Sequence, residues 1–374
     1  MGIIPLKDWF DEFDNGPVMI VGPCSAESEE QILQTADYLS NNCKPALFRA
    51  GIWKPRTRPG SFSGVGSKGV QWMIKVKEQT GMRLTVEVAR PRHLEVCLKA
   101  GIDVIWLGAR TVSNPFSVQE LAEALKGVDI PVLVKNPLNP DIDLWIGAIE
   151  RVYNAGIKRM AAVHRGFSPF ERTRYRNMPK WEIPIELRRR IKEMSVICDP
   201  SHISGDASMV PELAQKAMDL NMDGLMVEVH NNPPLALSDS NQQLSPGEYC
   251  NMMKNLVIRC LKPEDPGFLD YLEELRNQVD SVDHQLVELL SRRLEIIDII
   301  GEYKYRNNVA VLQMDRWLEI LKTRLEQAGL SGMDRYFTEN YLKLMHQESI
   351  RRQTVIMKKL KDKEEKSTDN SHDN

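Results

Sequence analysis

From residue 18 to about residue 262 the chain repeats one pattern. Short apolar runs fall at 18–22, 46–49, 83–88, 103–107, 131–135, 159–163, 195–198 and 224–229, and amphipathic stretches such as 29–39, 92–100, 143–155 and 211–220 lie between them. The runs are apolar without strict alternation, as parallel strands covered by helices read. Eight strand–helix units in about 245 residues predict a (β/α)8 TIM barrel over 1–262. A Pro/Gly-bearing linker is expected at 263–267. Beyond it the apolar period changes to three and four. Leu272, Leu275, Val279, Val282, Leu286, Leu289, Ile296 and Ile300 form one seam, with Arg293 at its gap and no Pro or Gly before Gly301. A helix of about 35 residues is about 50 Å long. The two shorter helices expected at 313–327 and 334–360 cannot cover it. The pattern therefore predicts a small all-α domain, 268–356, that buries its seam against a second copy as a homodimer or higher assembly. The tail, 357–374, is expected to be disordered, because its charged end has no apolar period.

Composition narrows the class. Hydrophobic residues make up 42% and charged residues 27% of 374, ordinary for a soluble globular protein. Net charge is −3, which disfavours a nucleic-acid partner and makes any basic cluster a local site. No apolar run is long enough to span a membrane, and residues 1–10 lack a signal-peptide pattern. Six cysteines without CxxC spacing suggest a reducing cytoplasm and no disulfide framework. Fewer than twenty residues precede the first strand, so no N-terminal regulatory domain on the barrel is expected.

Polar chemistry gathers at the C-terminal ends of the expected strands, where barrel active sites lie. Cys24 follows the first strand, and Arg49, Lys54, Arg56 and Thr57 follow the second. Glu87 closes the third, Arg110 follows the fourth, and Lys135 ends the fifth. His164 and Arg165 end the sixth, His202 the seventh, and Glu228 with His230 the eighth, with Asp239 in the next loop. Cys24, His202, Glu228 and Asp239 mix soft and hard ligands, which suits a divalent Mn, Fe, Co or Zn ion. Arg49, Lys54, Arg56, Arg110, Lys135 and Arg165 require a polyanionic substrate or two anionic ones, since the cluster alone repels itself.

Gly22-Pro23-Cys24-Ser25, Lys54-Pro55-Arg56-Thr57, Gly108-Ala109-Arg110, His164-Arg165-Gly166 and Asp199-Pro200-Ser201-His202 together resemble the DAHP synthases of the type I beta class. The resemblance implies condensation of phosphoenolpyruvate with erythrose 4-phosphate. By motif, Cys24, His202, Glu228 and Asp239 become metal ligands. Arg49, Lys54 and Lys135 become the phosphoenolpyruvate carboxylate site, Arg110 and Arg165 its phosphate site, and Arg56 with Thr57 the sugar-phosphate site. Glu87 is expected to position water, and Lys54 or His202 to pass a proton to the aldehyde oxygen. His164 stands where many members carry a glutamate. The competing reading is an octulosonate-phosphate synthase relative. Lys54-Pro55-Arg56-Thr57 argues against it, because that family carries an Asn-Arg version of the loop.

In the second half, Arg276, Arg293 and Lys304 lie along or beside an apolar face, where unpaired charge is costly. Tyr341, Met345, Ser349 and Gln353 recur at helical spacing and bring hydrogen-bonding groups to another such face. They suggest a pocket for a small dianion. Leu275-Arg276, Arg293, Gly301 with Lys304, Asp315-Arg316, and Ser349 with Gln353 resemble the all-helical chorismate mutases. By that match Arg293, Lys304, Arg316, Ser349 and Gln353 line one site for chorismate and prephenate, and Arg276 enters from the partner chain. Two positions depart: Trp317 replaces a glutamate that holds the substrate hydroxyl in some members, and Gln313, also expected to bind substrate, replaces an aspartate. The expected protein is a bifunctional enzyme whose helical half also senses prephenate or chorismate and inhibits the barrel. The alternative is a helical half that only dimerises and senses ligand.

Overall fold

The structure is a computed structural model that describes residues 1–13, 16–54, 60–170, 173–259 and 266–369. The chain divides into two units, Met1–Leu261 and Lys262–Asn374.

In the first unit, among the described residues, eight parallel strands close into a barrel in sequence order. They are β1 Val18–Gly22, β2 Leu47–Ala50, β3 Arg83–Val88, β4 Val104–Leu107, β5 Val132–Lys135, β6 Met160–His164, β7 Ser195–Cys198 and β8 Gly224–Glu228. Each lies within a residue of its expected position. Helices follow the strands: α1 Glu29–Asn42, α2 Ser67–Thr80, α3 Pro91–Ala100, α4 Ala109–Val112, α5 Pro115–Leu125, α6 Ile142–Asn154, α7 Glu182–Arg190, α8 Pro200–Ser204, α9 Val210–Asp219 and α10 Pro246–Asn255. Their starts carry local signals. The Ser28 and Asp141 side chains accept from backbone N–H groups in the first turns of α1 and α6, and Ser245 with Glu248 forms a reciprocal capping box on α10.

Two apolar cores result. The larger lies between strands and helices and includes Val21, Val86, Leu121, Trp145 and Val227. The smaller fills the barrel: Ile20, Leu47, Val104, Trp106, Leu133, Val163, Ile197 and Met226 point inward, and Leu6, Trp9 and Phe13 from the N-terminal segment join them. Such packing excludes water from one end of the barrel and leaves the polar strand ends at the other. Against expectation, Cys43 and Cys250 are joined in a disulfide with Cα atoms 5.8 Å apart. Cys43 caps α1 and Cys250 lies on α10, so a pair separated by 207 residues meets only after the barrel closes.

The second unit consists of α11 Pro266–Arg306, α12 Met314–Leu330 and α13 Arg335–Asp369. Of the expected linker, residues 263–265 lie outside the described residues, while Pro266 and Gly267 already belong to α11. Proline suits a first helical position because its missing N–H has no partner there anyway. The helix runs through Gly301, which sits against α13. A Cβ at that position would lie 3.1 Å from the Gln353 Cα, so glycine permits the close approach. The tail corrects a second expectation: α13 continues to Asp369, past the helix end expected at residue 360 and through most of the stretch expected to be disordered. Its Lys- and Glu-rich sequence forms helix well, and Glu364 accepts a 2.6 Å hydrogen bond from the Tyr305 hydroxyl. Residues 370–374 lie outside the described residues. Val279, Val282, Leu286, Leu289 and Ile296 are each about half exposed or more, so the α11 seam is uncovered in a single chain. Among the described residues no helix is long and apolar enough to cross a membrane.

Gly301→Leu should force α11 and α13 apart and destabilise the helical unit by about 1–3 kcal/mol. Denaturant unfolding followed by helical circular dichroism measures this, with the barrel transition unchanged.

Candidate active site

Trp106 of β4 is the floor of the barrel mouth. It is fully buried, with the Arg49 guanidinium carbon 5.0 Å and the Lys135 ammonium 5.9 Å from its ring centroid. Each cation has a buried carboxylate. Arg49 Nη2 lies 3.1 Å from Glu228 Oε1, and Lys135 donates to Asp199 Oδ2 at 2.6 Å. Burial depresses the Lys135 pKa despite Asp199. Burial opposes the Arg49 charge as well, but Glu228 and Asp199 hold its pKa above the usual value. Arg49 Nε and Nη1 find no hydrogen-bond partner among the described residues, which leaves two donors for an anion.

Beside this floor, one ligand atom each from Cys24, Glu228 and Asp239 lie within 4.8 Å of one another. Cys24 Sγ is 3.3 Å from Asp239 Oδ2 and 3.1 Å from Lys54 Nζ. His202 completes the group expected from the sequence. Its Nδ1 meets Asp199 Oδ1 at 3.0 Å, and its Nε2 lies 3.7 Å from Glu228 Oε1. Asp199 thus selects the tautomer that leaves the Nε2 lone pair facing the cluster, as in metal-ligating histidines. Burial, then Glu228, pushes the Cys24 thiol up to about 12. Glu228 Oε1 is buried beside Arg49 without an aligned hydrogen bond among the described residues. A thiol, an oriented imidazole and two carboxylates, one with an unsatisfied oxygen, fit a divalent first-row ion. Such a site releases the thiol proton on binding.

The far side of the mouth is cationic. Arg110, Arg165 and Arg176 line the same cleft as Lys54, Glu87 and Lys135. Burial, reinforced by Arg176 and Arg110, lowers Arg165 to about 10. Asn177 Oδ1 accepts from Arg165 Nη1 at 2.7 Å and aims it. Three arginines in partial mutual repulsion suit a phosphate dianion. Glu87 lies against Gly108, where any side chain would run into its carboxylate.

Arg56 and Thr57 lie outside the described residues. His164 faces away from the mouth: its ring packs 5.2 Å from Trp181 and 5.8 Å from Phe167, and burial lowers its pKa to about 3. The period of the strand explains this, because Val163 takes the inward position. His230 also stands apart, 3.5 Å from Glu27. Asp199, Arg176 and Gln242 were not singled out as site residues by sequence. Arg176 Nη1 reaches Asp239 Oδ1 at 3.0 Å and Gln242 Oε1 at 2.5 Å, and Gln242 donates to Glu228 Oε2 at 2.6 Å. Arg176 comes from mid-loop, away from any strand end, and its only sequence signal was the Arg174-Tyr175-Arg176 cation cluster.

In the helical unit, Arg293 Nη1 donates to Ser349 Oγ at 3.0 Å, and Gln353 Nε2 donates to Ser349 O at 3.2 Å. Gln353 Oε1 is buried without a partner among the described residues. Lys304 donates to Val311 O at 2.7 Å. Arg293, Ser349 and Gln353 are therefore brought together, with Gly301 packed on Gln353. Arg316 is exposed and pairs with Glu319, Gln313 is exposed at the start of α12, and Arg276 is exposed beside Glu273. Arg276 precedes Arg293 by about 25 Å of helix, so one chain does not join them.

A parallel (β/α)8 barrel with a thiol–imidazole–carboxylate group beside clustered cations defines an enzyme for small anionic substrates. The chain belongs to the DAHP synthetase I family, which matches residues 11–258, and residues 275–354 match chorismate mutase type II. It therefore carries a DAHP synthase domain followed by a chorismate mutase domain. It is 31% identical over 247 residues to a phospho-2-dehydro-3-deoxyheptonate aldolase of Thermotoga maritima, covering 66% of this chain and 70% of that protein. A 2-dehydro-3-deoxyphosphooctonate aldolase of Legionella pneumophila is 28% identical over 239 residues, covering 59% of this chain and 83% of the relative. The crystal structure of the Thermotoga maritima DAHP synthase superposes with a TM-score of 0.58 at 29% identity, covering 65% of this chain and 68% of that one.

Lys135→Ala leaves Asp199 buried without its cation. Barrel stability should fall by about 3–5 kcal/mol, measured by chemical denaturation.

Proposed function

We propose that the barrel condenses phosphoenolpyruvate with erythrose 4-phosphate to 3-deoxy-D-arabino-heptulosonate 7-phosphate, with a divalent Mn, Fe, Co or Zn ion held by Cys24, His202, Glu228 and Asp239. The helical unit rearranges chorismate to prephenate and inhibits the barrel when prephenate is bound. The observation that carries the barrel reading is the Cys24–Glu228–Asp239 cluster beside the Arg49 and Lys135 pair on Trp106. When bound, the ion supplies Lewis acidity toward an aldehyde oxygen.

The protein's own groups do the rest. Arg49 and Lys135 bind the phosphoenolpyruvate carboxylate, and Arg110 with Arg165 binds its phosphate. Two fixed anionic ends orient the methylene carbon toward the aldehyde, which makes the encounter local. Lys54, held cationic against its burial by Cys24 in its thiolate form and by Glu87 and Glu228, is placed to give a proton to the aldehyde oxygen, with His202 as the other candidate. Glu87 positions the water that attacks the carbon left electron-poor, after which the bond from that carbon to the phosphate oxygen breaks, inorganic phosphate leaves and the ketone forms. Arg56 and Thr57 take the sugar phosphate. The mutase reaction occurs within one molecule and needs no nucleophile. Arg293 and Arg316, with Arg276 from a partner chain, hold the dianion, and Lys304 and Gln353 stabilise charge on the breaking ether oxygen. The uncovered α11 seam supports a homodimer that supplies Arg276.

Cys24→Ser should leave the barrel folded and lower metal affinity and condensation sharply. Activity in metal-free buffer, with each ion added back, checks this, and full activity at stoichiometric metal would remove Cys24 from the site. Arg293→Ala and Lys304→Ala should each lower mutase rates by more than about tenfold, roughly 1.4 kcal/mol, with condensation unchanged. A chain ending before Pro266 should give an active barrel that prephenate does not inhibit. In the full chain, barrel substrates must weaken prephenate binding by the factor with which prephenate weakens theirs.

A further inference from the structure

The face of α13 that meets α11 carries a titratable side chain with no role in the mutase account. His346 lies one turn before Ser349 and two before Gln353, on the same stripe. Its ring stacks on Trp317 of α12, with centroids 4.0 Å apart and planes 12° from parallel. Nε2 is buried and has no hydrogen-bond partner among the described residues. Burial, with Arg293 and Lys304 close by, lowers its pKa, so the ring is neutral near pH 7 and adds no third cation. A buried nitrogen without a partner costs about 1–3 kcal/mol, so its place on the face of Ser349 and Gln353, with Arg293 and Lys304 close by, points to a ligand atom. Trp317 cannot replace a glutamate as an acceptor, because an indole only donates. Its flat face instead fixes the imidazole plane.

We propose that His346, oriented by Trp317, hydrogen-bonds the ring hydroxyl of chorismate through Nε2. The proposal rests on the mutase reading of the helical unit. It assigns substrate contact to a residue on α13 and a positioning role to Trp317 on α12. The hydroxyl is not part of the bond rearrangement, so the interaction affects recognition and placement rather than proton transfer.

The test uses the full chain and two substrates, chorismate and its analogue with hydrogen in place of the hydroxyl. Wild-type protein without any mutase activity would refute the mutase reading itself, before His346 is tested. His346→Phe keeps the stack on Trp317 and removes the nitrogen. It should lower kcat/KM for chorismate about tenfold, the worth of one hydrogen bond, and change the analogue by less than about twofold. Equal losses on both substrates would reduce His346 to a packing residue, and no loss on either would exclude it from the site. A second measurement does not depend on the variant folding. The 15N resonance of His346 Nε2 in wild-type protein should shift on binding a stable transition-state analogue that bears the hydroxyl. It should not shift with the deoxy analogue, and the same shift with both would overturn the proposal.

Discussion

The barrel mouth depends on keeping two cations and two carboxylates charged on an apolar floor. Arg49 with Glu228, and Lys135 with Asp199, are paired above Trp106 with almost no exposure. A buried charge without its partner is strongly destabilising, so none of the four can be removed alone. The pairs also do not use up their members. Among the described residues, Arg49 has two donors without a hydrogen-bond partner and Glu228 Oε1 meets Arg49 without an aligned hydrogen bond, while Asp199 orients His202 as well as holding Lys135. The same interactions that make burial tolerable leave directed binding capacity on the open side.

The fold makes this arrangement possible by separating the two ends of the barrel. Leu6, Trp9 and Phe13 join the inward residues of the strands, so water is excluded from below and Trp106 is packed on one side only by apolar groups. Above it, register places Arg49, Glu87, Lys135 and Glu228 at the strand ends. Small residues set the close approaches. Gly108 leaves room for the Glu87 carboxylate, and in the other unit Gly301 brings α11 against Gln353. Both sites therefore use a glycine to bring a polar side chain to a crowded position.

Much of this was legible in the sequence, for a physical reason. Parallel strands buried on both sides read as apolar runs, and a barrel sends all eight run ends to one mouth. Cys24, Arg49, Lys135, His202, Glu228 and Asp239 could thus be grouped from their positions after runs. Features that depend on loops and caps were not legible. Asp199 starts α8 and looks like an ordinary helix cap, since its Oδ1 does accept from the His202 backbone N–H. Arg176 reaches Asp239 from the middle of a loop, and Cys43 meets Cys250 across helix packing. His164 ends the sixth strand yet faces away from the mouth, because the strand's period of two gives Val163 the inward position. The helical continuation of α13 followed from propensity, which an apolar-period reading ignores. In the mutase domain the single-chain pattern located Arg293, Ser349 and Gln353, while Arg276 and Arg316 stay outside that cluster in one chain.

On the proposed function, the charged floor and its ligand group serve a three-carbon enol phosphate and a four-carbon aldose phosphate. Relatives that act in phospho-octonate chemistry share more than a quarter of the barrel's residues, so the acceptor sugar is the discriminating observation. The direct measurement is a competition. The full-length protein is loaded with metal and given phosphoenolpyruvate with equal erythrose 4-phosphate and arabinose 5-phosphate, and products are resolved by mass. The expected result is the seven-carbon product almost alone, with its formation abolished by chelation. A predominant eight-carbon product, or undiminished seven-carbon product after complete metal removal, would contradict it.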